Sequence, residues 1–132
     1  LSLPHQSLGD TYITFISDVL EGMPRMTRLD LRDNRLTDVG VREIIEAICS
    51  MDGNQEIQIL DLSENKLDTE SARSLCAFFK NPKCSLREVL LAKADGGPTT
   101  GGASIAITLG VNSTLTRIDL QWNLLGSKVR GL

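Results

Sequence analysis

Leu60-Asp61-Leu62-Ser63-Glu64-Asn65-Lys66-Leu67 decides how this chain folds, because the chain says nearly the same thing twice more. Leu29-Asp30-Leu31-Arg32-Asp33-Asn34-Arg35-Leu36 precedes it, and Ile118-Asp119-Leu120-Gln121-Trp122-Asn123-Leu124-Leu125 follows it. All three fit one template: an apolar-variable-apolar run, two variable residues, Asn, a variable residue and a final leucine. Asn34 and Asn65 are 31 residues apart, and Asn65 and Asn123 are 58 apart, two steps of 29. So steady a period is the mark of a stacked repeat architecture.

The alternation around Leu29 and Leu31, or Leu60 and Leu62, is a period-2 strand with one face buried. Met26 and Ile57 add an apolar position ahead of each strand. The Asn at the bend (Asn34, Asn65, Asn123) is expected to face inward, its amide satisfying backbone groups that would otherwise be orphaned. The period then changes. Leu36, Ile44, Ile45 and Ile48 follow helical spacing, as do Leu67, Leu75, Phe78 and Phe79, so each unit returns through an amphipathic helix. Asp38, Asp68 and Glu70 sit early in these helices and Lys80 late, as the helix dipole favours. Gly53-Asn54 and Asn81-Pro82 mark where the helices stop.

Two weaker units extend the register. Leu1-Ser2-Leu3-Pro4-His5-Gln6-Ser7-Leu8 carries Gln6 at the Asn position, followed by a helical pattern through Tyr12, Ile13, Ile16 and Leu20. Leu86, Val89 and Leu91 fit a fourth unit in which Ala94 replaces the Asn. That gives repeats over about 1–25, 26–56, 57–85, 86–114 and an incomplete 115–132, all within a single domain 1–132. Strand, bend, helix and a parallel strand next door must stack side by side, because one unit cannot cover its own apolar edge. The bulkier helices take the outer curve. The expected fold is a right-handed α/β solenoid of about five repeats, with a parallel sheet on the concave side and helices on the convex side. A bare strand at the start and an unfinished fifth unit lead us to expect a segment of a longer chain, or ends covered by partners.

Composition excludes several functions. Apolar residues make up 41% and charged residues 23%, an ordinary globular balance. A net charge of -3 gives no field that argues for nucleic acid or an anionic membrane. No apolar run is long enough to span a bilayer, and residues 1–20 lack a signal peptide's basic start. Cys49, Cys76 and Cys84 contain no C-x-x-C pair and cannot all pair, so they read as free thiols in a reducing compartment. His5, the lone histidine, lies far from them in sequence, and nothing calls for a metal or a cofactor. Asn112-Ser113-Thr114 matches a glycosylation sequon and reads more simply as a turn. The Gly-rich stretch 96–102 lacks the Gly-Lys-Ser/Thr ending of a phosphate loop and reads as a surface loop.

With units of 29 to 31 residues and a full helix in each, the chain resembles the ribonuclease-inhibitor type of leucine-rich repeat over nearly its whole length. Members of that class are mostly intracellular eukaryotic proteins: ribonuclease inhibitor, NOD-like receptors, the Ran GTPase-activating protein, tropomodulin, and ciliary or centrosomal scaffolds. The resemblance implies a cytoplasmic protein, in some relatives associated with cytoskeleton or cilium. The motif specifies fold far better than function.

If the inner strands carry the binding surface, the register names its residues. Between the strand leucines stand Asp30, Asp61, Leu90 and Asp119; Arg28, Ile59, Glu88 and Arg117 come just before. Arg32, Ser63, Ala92 and Gln121 occupy the next outward position, followed by Asp33, Glu64, Lys93 and Trp122. Stacked units would set three aspartates in one row, flanked by Arg28, Arg32 and Arg117. These charges either meet a partner or solvate the sheet and pair across strands. Trp122, the only tryptophan, is either an exposed binding hot spot or is covered by residues beyond Leu132. No nucleophile elbow, metal cluster or isolated carboxylate pair suggests catalysis. The expected function is a non-catalytic scaffold that binds a partner protein through its concave strand face. Alternatives implied by the resemblance are regulation of a small GTPase, for which no residue matches by motif, and actin or cytoskeletal binding.

Overall fold

The Leu-x-Leu alternation becomes a ladder of three-residue parallel strands. The computed structural model describes residues 1–23, 25–50, 56–66, 69–81, 85–92 and 115–119. In chain order come a 3-10 turn Asp10–Tyr12, α1 (Ile13–Glu21), β1 (Arg28–Asp30), α2 (Asp38–Ser50), β2 (Ile59–Asp61), α3 (Thr69–Lys80), β3 (Glu88–Leu90) and β4 (Arg117–Asp119). Among the described residues the sheet order is β1-β2-β3-β4, all parallel, with no strand skipped. Leu29, Leu60, Val89 and Ile118 are register partners, one per unit. The first unit joins less completely than a full strand: Ser2 bridges Asp30 alone, with Leu3 N–H donating to Asp30 O at 2.9 Å.

The core lies between this sheet and the helices. Leu29, Leu31, Leu60, Leu62 and Val89 meet Ile13, Ile16 and Leu20 of α1, Val41, Ile44, Ile45 and Ile48 of α2, and Leu75, Phe78 and Phe79 of α3 in one cluster. Burying each such side chain contributes roughly 2 kcal/mol. Most of that depends on neighbouring units, so the stack is the folding unit. Tyr12 departs from expectation: it sits in the 3-10 turn and is exposed, outside the core.

Asn34 and Asn65 hold the bends, and each reaches into the unit before its own. Asn65 Oδ1 accepts the N–H groups of Asn34 and Leu36, both at 3.0 Å. Its Nδ2 donates to the carbonyls of Leu31, Leu62 and Ser63 at 3.0, 3.0 and 3.3 Å. Asn34 repeats this one unit earlier: its Oδ1 takes the N–H of Gln6 at 3.0 Å, and its Nδ2 donates to Leu3 O at 2.6 Å. Gln6 carries out one part of the role, donating from Nε2 to Pro4 O at 2.9 Å. These bonds also stabilise backbone that L residues rarely adopt. His5, Asp33 and Glu64, just before the Asn or Gln, have φ of 58°, 51° and 60°; Ser7 and Arg35, just after, have 50° and 58°. Each such residue costs on the order of 1 kcal/mol.

A second cross-unit device sits on the helices. Asp10 Oδ1 accepts Thr37 N–H at 2.9 Å, at the start of α2, and Oδ2 takes the Thr37 hydroxyl. Asp38 does the same for α3, accepting Ser71 N–H at 3.1 Å and the Ser71 hydroxyl on Oδ1. Each carboxylate therefore sits among the unpaired N–H groups that begin the next helix, where anions are favoured. The acidic residues early in these helices serve the neighbouring helix. Gly40 makes room for this: a Cβ there would collide with the Asp10 carboxylate and lie 3.4 Å from Ile13 Cγ1.

Candidate protein-binding surface

The outward positions of the strands form rows across the sheet. Arg28, Ile59, Glu88 and Arg117 are register partners, as are Asp30, Asp61, Leu90 and Asp119. Both rows follow the expected register, but the exposure of the aspartates does not. Asp30 is 4% exposed and Asp61 2%. The expectation of an open acidic row is therefore corrected for these two residues.

The cause is local. Each Asp ends its strand just before the bend, and its short side chain curls back to the N–H two residues on. Asp30 Oδ1 accepts Arg32 N–H at 3.1 Å, and Asp61 Oδ1 accepts Ser63 N–H at 3.0 Å. Such Asx geometry competes with continued strand pairing and closes the ladder. Asp30 Oδ2 also stands 3.9 Å from Arg28 Nη2 and 3.8 Å from Arg32 Nη2. The arginine stems cover the carboxylate while their heads stay in water. Ser63, in the row beyond, is buried too, its Oγ accepting Ala92 N–H at 3.1 Å.

What reaches solvent is different in sign. Arg28 and Arg117 are exposed; Arg32, Ile59, Leu90, Ala92 and Asp119 are half-buried. Arg117 pairs with Glu88 across β3 and β4 at 3.5 Å, and Asp33 accepts from or donates to nothing but His5 Nδ1, at 2.8 Å, among the ion pairs described. Glu64 is exposed at the rim. Arg28 and Arg32 contact Asp30 only beyond hydrogen-bond length, so their planar donors remain available to an acceptor from outside. Around β1 and β2 the face is thus an apolar spot at Ile59 between two guanidinium groups. Lys93, Trp122 and Asn123 lie outside the described residues, as do Gln121, Ala94 and the Gly-rich stretch.

Among the described residues no group of three or more His, Cys, Asp or Glu side chains could hold a metal ion. Cys76 is a buried free thiol on α3. No helix of the described residues is long and apolar enough to cross a membrane. The His5–Asp33 contact and the Asp10 and Asp38 caps were not anticipated from the sequence. A visible signal existed for the caps: Asp10 and Asp38 are 28 residues apart, close to the repeat length.

Comparison with known proteins agrees with this geometry. The family described as Leucine Rich repeat matches residues 24–44, 53–76 and 111–128, three windows that contain or adjoin the three repeated phrases. Mouse (Mus musculus) NACHT, LRR and PYD domains-containing protein 5 is 30% identical over 127 residues, 96% of this chain and 11% of the relative. Chicken (Gallus gallus) Leucine-rich repeat-containing protein 45 is 31% identical over 124 residues, 93% of this chain and 18% of the relative. The chain thus spans between a tenth and a fifth of the length of these relatives. Among solved structures, the leiomodin-1 actin-binding site 2 superposes with a TM-score of 0.73 at 16% identity, covering 92% of this chain and 69% of that one. That likeness is one of fold. Repeated motif, parallel ladder, bend asparagines and family match agree: the chain is a leucine-rich repeat protein, an α/β solenoid.

Proposed function

We propose that this chain is a non-catalytic protein-binding module that engages its partner through the concave strand face, around Arg28, Arg32 and Ile59. The observation that carries the reading is the state of the two arginines. Their nearest carboxylate, Asp30, is buried and already accepts a backbone hydrogen bond, at 3.1 Å, so their donors face outward without a close acceptor. Arginines beside an apolar anchor are the composition enriched at interface hot spots. Asp119, Arg117, Asp33 and Glu64 belong to the rim of the same surface, and Lys93 and Trp122 to its proposed continuation.

We also place the protein in the cytoplasm, in the ribonuclease-inhibitor-like class, with the five repeat boundaries read from the sequence. The buried free thiol of Cys76 supports a reducing compartment. Actin is the first candidate partner to assay, because a solved domain of this fold is an actin-binding site. Regulation of a small GTPase is the other reading, and acceleration of single-turnover GTP hydrolysis would favour it over a scaffold.

The test is affinity capture from a eukaryotic extract with the native chain and an Arg28→Glu, Arg32→Glu variant of unchanged melting midpoint. A partner held by the native chain and lost by the variant is expected. Equal capture by both would move binding off this face.

A further inference from the structure

Among the described residues the exposed large apolar side chains are Tyr12, Phe15, Val19, Met23 and Val39. Four of these five belong to α1 or its two ends, and they recur at 3- and 4-residue spacing, so they form one stripe. Phe15 is the most open at 65%.

The repeat register shows which side of the helix this is. Counted from the leucine after each bend, Tyr12, Phe15 and Val19 correspond to Gly40, Glu43 and Ala47 of α2, and to Ser71, Ser74 and Phe78 of α3. In α2 that side faces α1: Gly40 lies against Asp10 and Ile13, and Ala47 packs on the core. In α3 it faces α2: Ser71 is bonded to Asp38, and Ser71 and Phe78 are buried. This side of each helix receives another helix. Because every crossover joins parallel strands, the received helix runs parallel to it. On α1 the position is open, and it carries larger apolar groups than α2 does.

Met23 joins the stripe to a groove lined by Leu1, Met23, Arg25, Met26, Thr27 and Arg28. Arg25 and Arg28 are exposed there, so the C-terminal end of the stripe is basic. We propose that this side of α1 is a docking site for an amphipathic helix of a partner polypeptide, laid parallel to α1 as α1 is to α2. That helix carries carboxylates in its last turn, where it meets Arg25 and Arg28. A carboxylate there would face two guanidinium groups but oppose the occupant's own C-terminal dipole, so the arginines decide the preference. A two-fold copy of α1 would run antiparallel, unlike either helix pair inside the stack. The inference is independent of the strand-face reading.

The test titrates the native chain into two labelled amphipathic helical peptides, identical except for two Glu or two Lys in the last turn, and reads fluorescence polarisation. The native chain should bind the Glu peptide saturably. Phe15→Glu should weaken binding by at least about tenfold, the scale of a lost interface anchor. Arg25→Glu should reverse the preference toward the Lys peptide. Phe15 is exposed, so its substitution leaves the core intact, and Val19→Lys provides a second variant judged by the same melting curve. The proposal is overturned by absence of saturable binding to either peptide, by equal binding to the Phe15→Glu chain, or by equal affinity for both peptides. Sedimentation that shows a native dimer lost in Phe15→Glu, with neither peptide bound, would give the face to a second copy and overturn it as well.

Discussion

The side-chain oxygen of Asn65 accepts the backbone N–H of Asn34 at 3.0 Å, so the bend of one repeat is completed by the asparagine of the next. Asn34 does the same for Gln6 at 3.0 Å. The asparagines form a relay along the stack, and each unit's bend depends on its successor. This is the physical content of the repeat: the sequence period exists because the hydrogen bonds span it.

Asn65→Ala should therefore be severe. It strands the N–H groups of Asn34 and Leu36 and the Leu31 and Leu62 carbonyls, which lie in buried surroundings. We expect a loss of at least about 2 kcal/mol in urea denaturation, the cost of leaving buried partners unsatisfied. Asn34→Ala should cost less, because its bonds to Gln6, Leu8 and Leu3 are only part-buried. Equal costs would show that the backbone of the outer bend is no better solvated than that of the inner one.

Gly40 and Asp10 should be energetically coupled. Gly40→Ala drives a methyl group into the carboxylate that caps the start of α2, so it should be destabilising despite alanine's better helix propensity. Asp10→Ala should cost about 1 kcal/mol as a lost cap. In the double variant the methyl meets no carboxylate, and the Gly40→Ala penalty should shrink or change sign. Strict additivity in a double-mutant cycle would contradict this packing.

Asp61 is predicted to be structural. Asp61→Asn keeps an acceptor for Ser63 N–H, whereas Asp61→Leu leaves that N–H without its 3.0 Å partner. Asp61→Leu should cost roughly 1–3 kcal/mol more than Asp61→Asn. Chemical denaturation of the two variants side by side checks it, and equal stability would return Asp61 to the list of surface charges.

Much of the fold was legible in the sequence, because period-2 and helical spacing report directly on which side of each element is buried. Leu29, Leu60, Ile44 and Phe79 could be placed in the core from spacing alone, and the parallel order of strands followed from the repeat. Exposure within the candidate site was not legible. The register correctly puts Asp30 and Asp61 on the outward rows, but whether a short carboxylate meets solvent or its own backbone depends on bend geometry that spacing does not encode. Tyr12 misled for a related reason: a helix inside a stack has an apolar side for the sheet and another for each neighbouring helix. Periodicity sees one broad stripe and does not say which part of it is covered. The aspartate caps required the distance between helices, which only the assembled stack defines.

The measurement that tests the account most directly is a binding isotherm for the captured partner against two charge-reversed chains. One carries Arg28→Glu and Arg32→Glu on the strand face; the other carries Arg73→Glu and Lys80→Glu, exposed positions on α3. The account predicts that the first loses at least about tenfold in affinity, as hot-spot arginines do, while the second binds as the native chain does. A loss confined to the α3 variant would contradict it and give recognition to the helices.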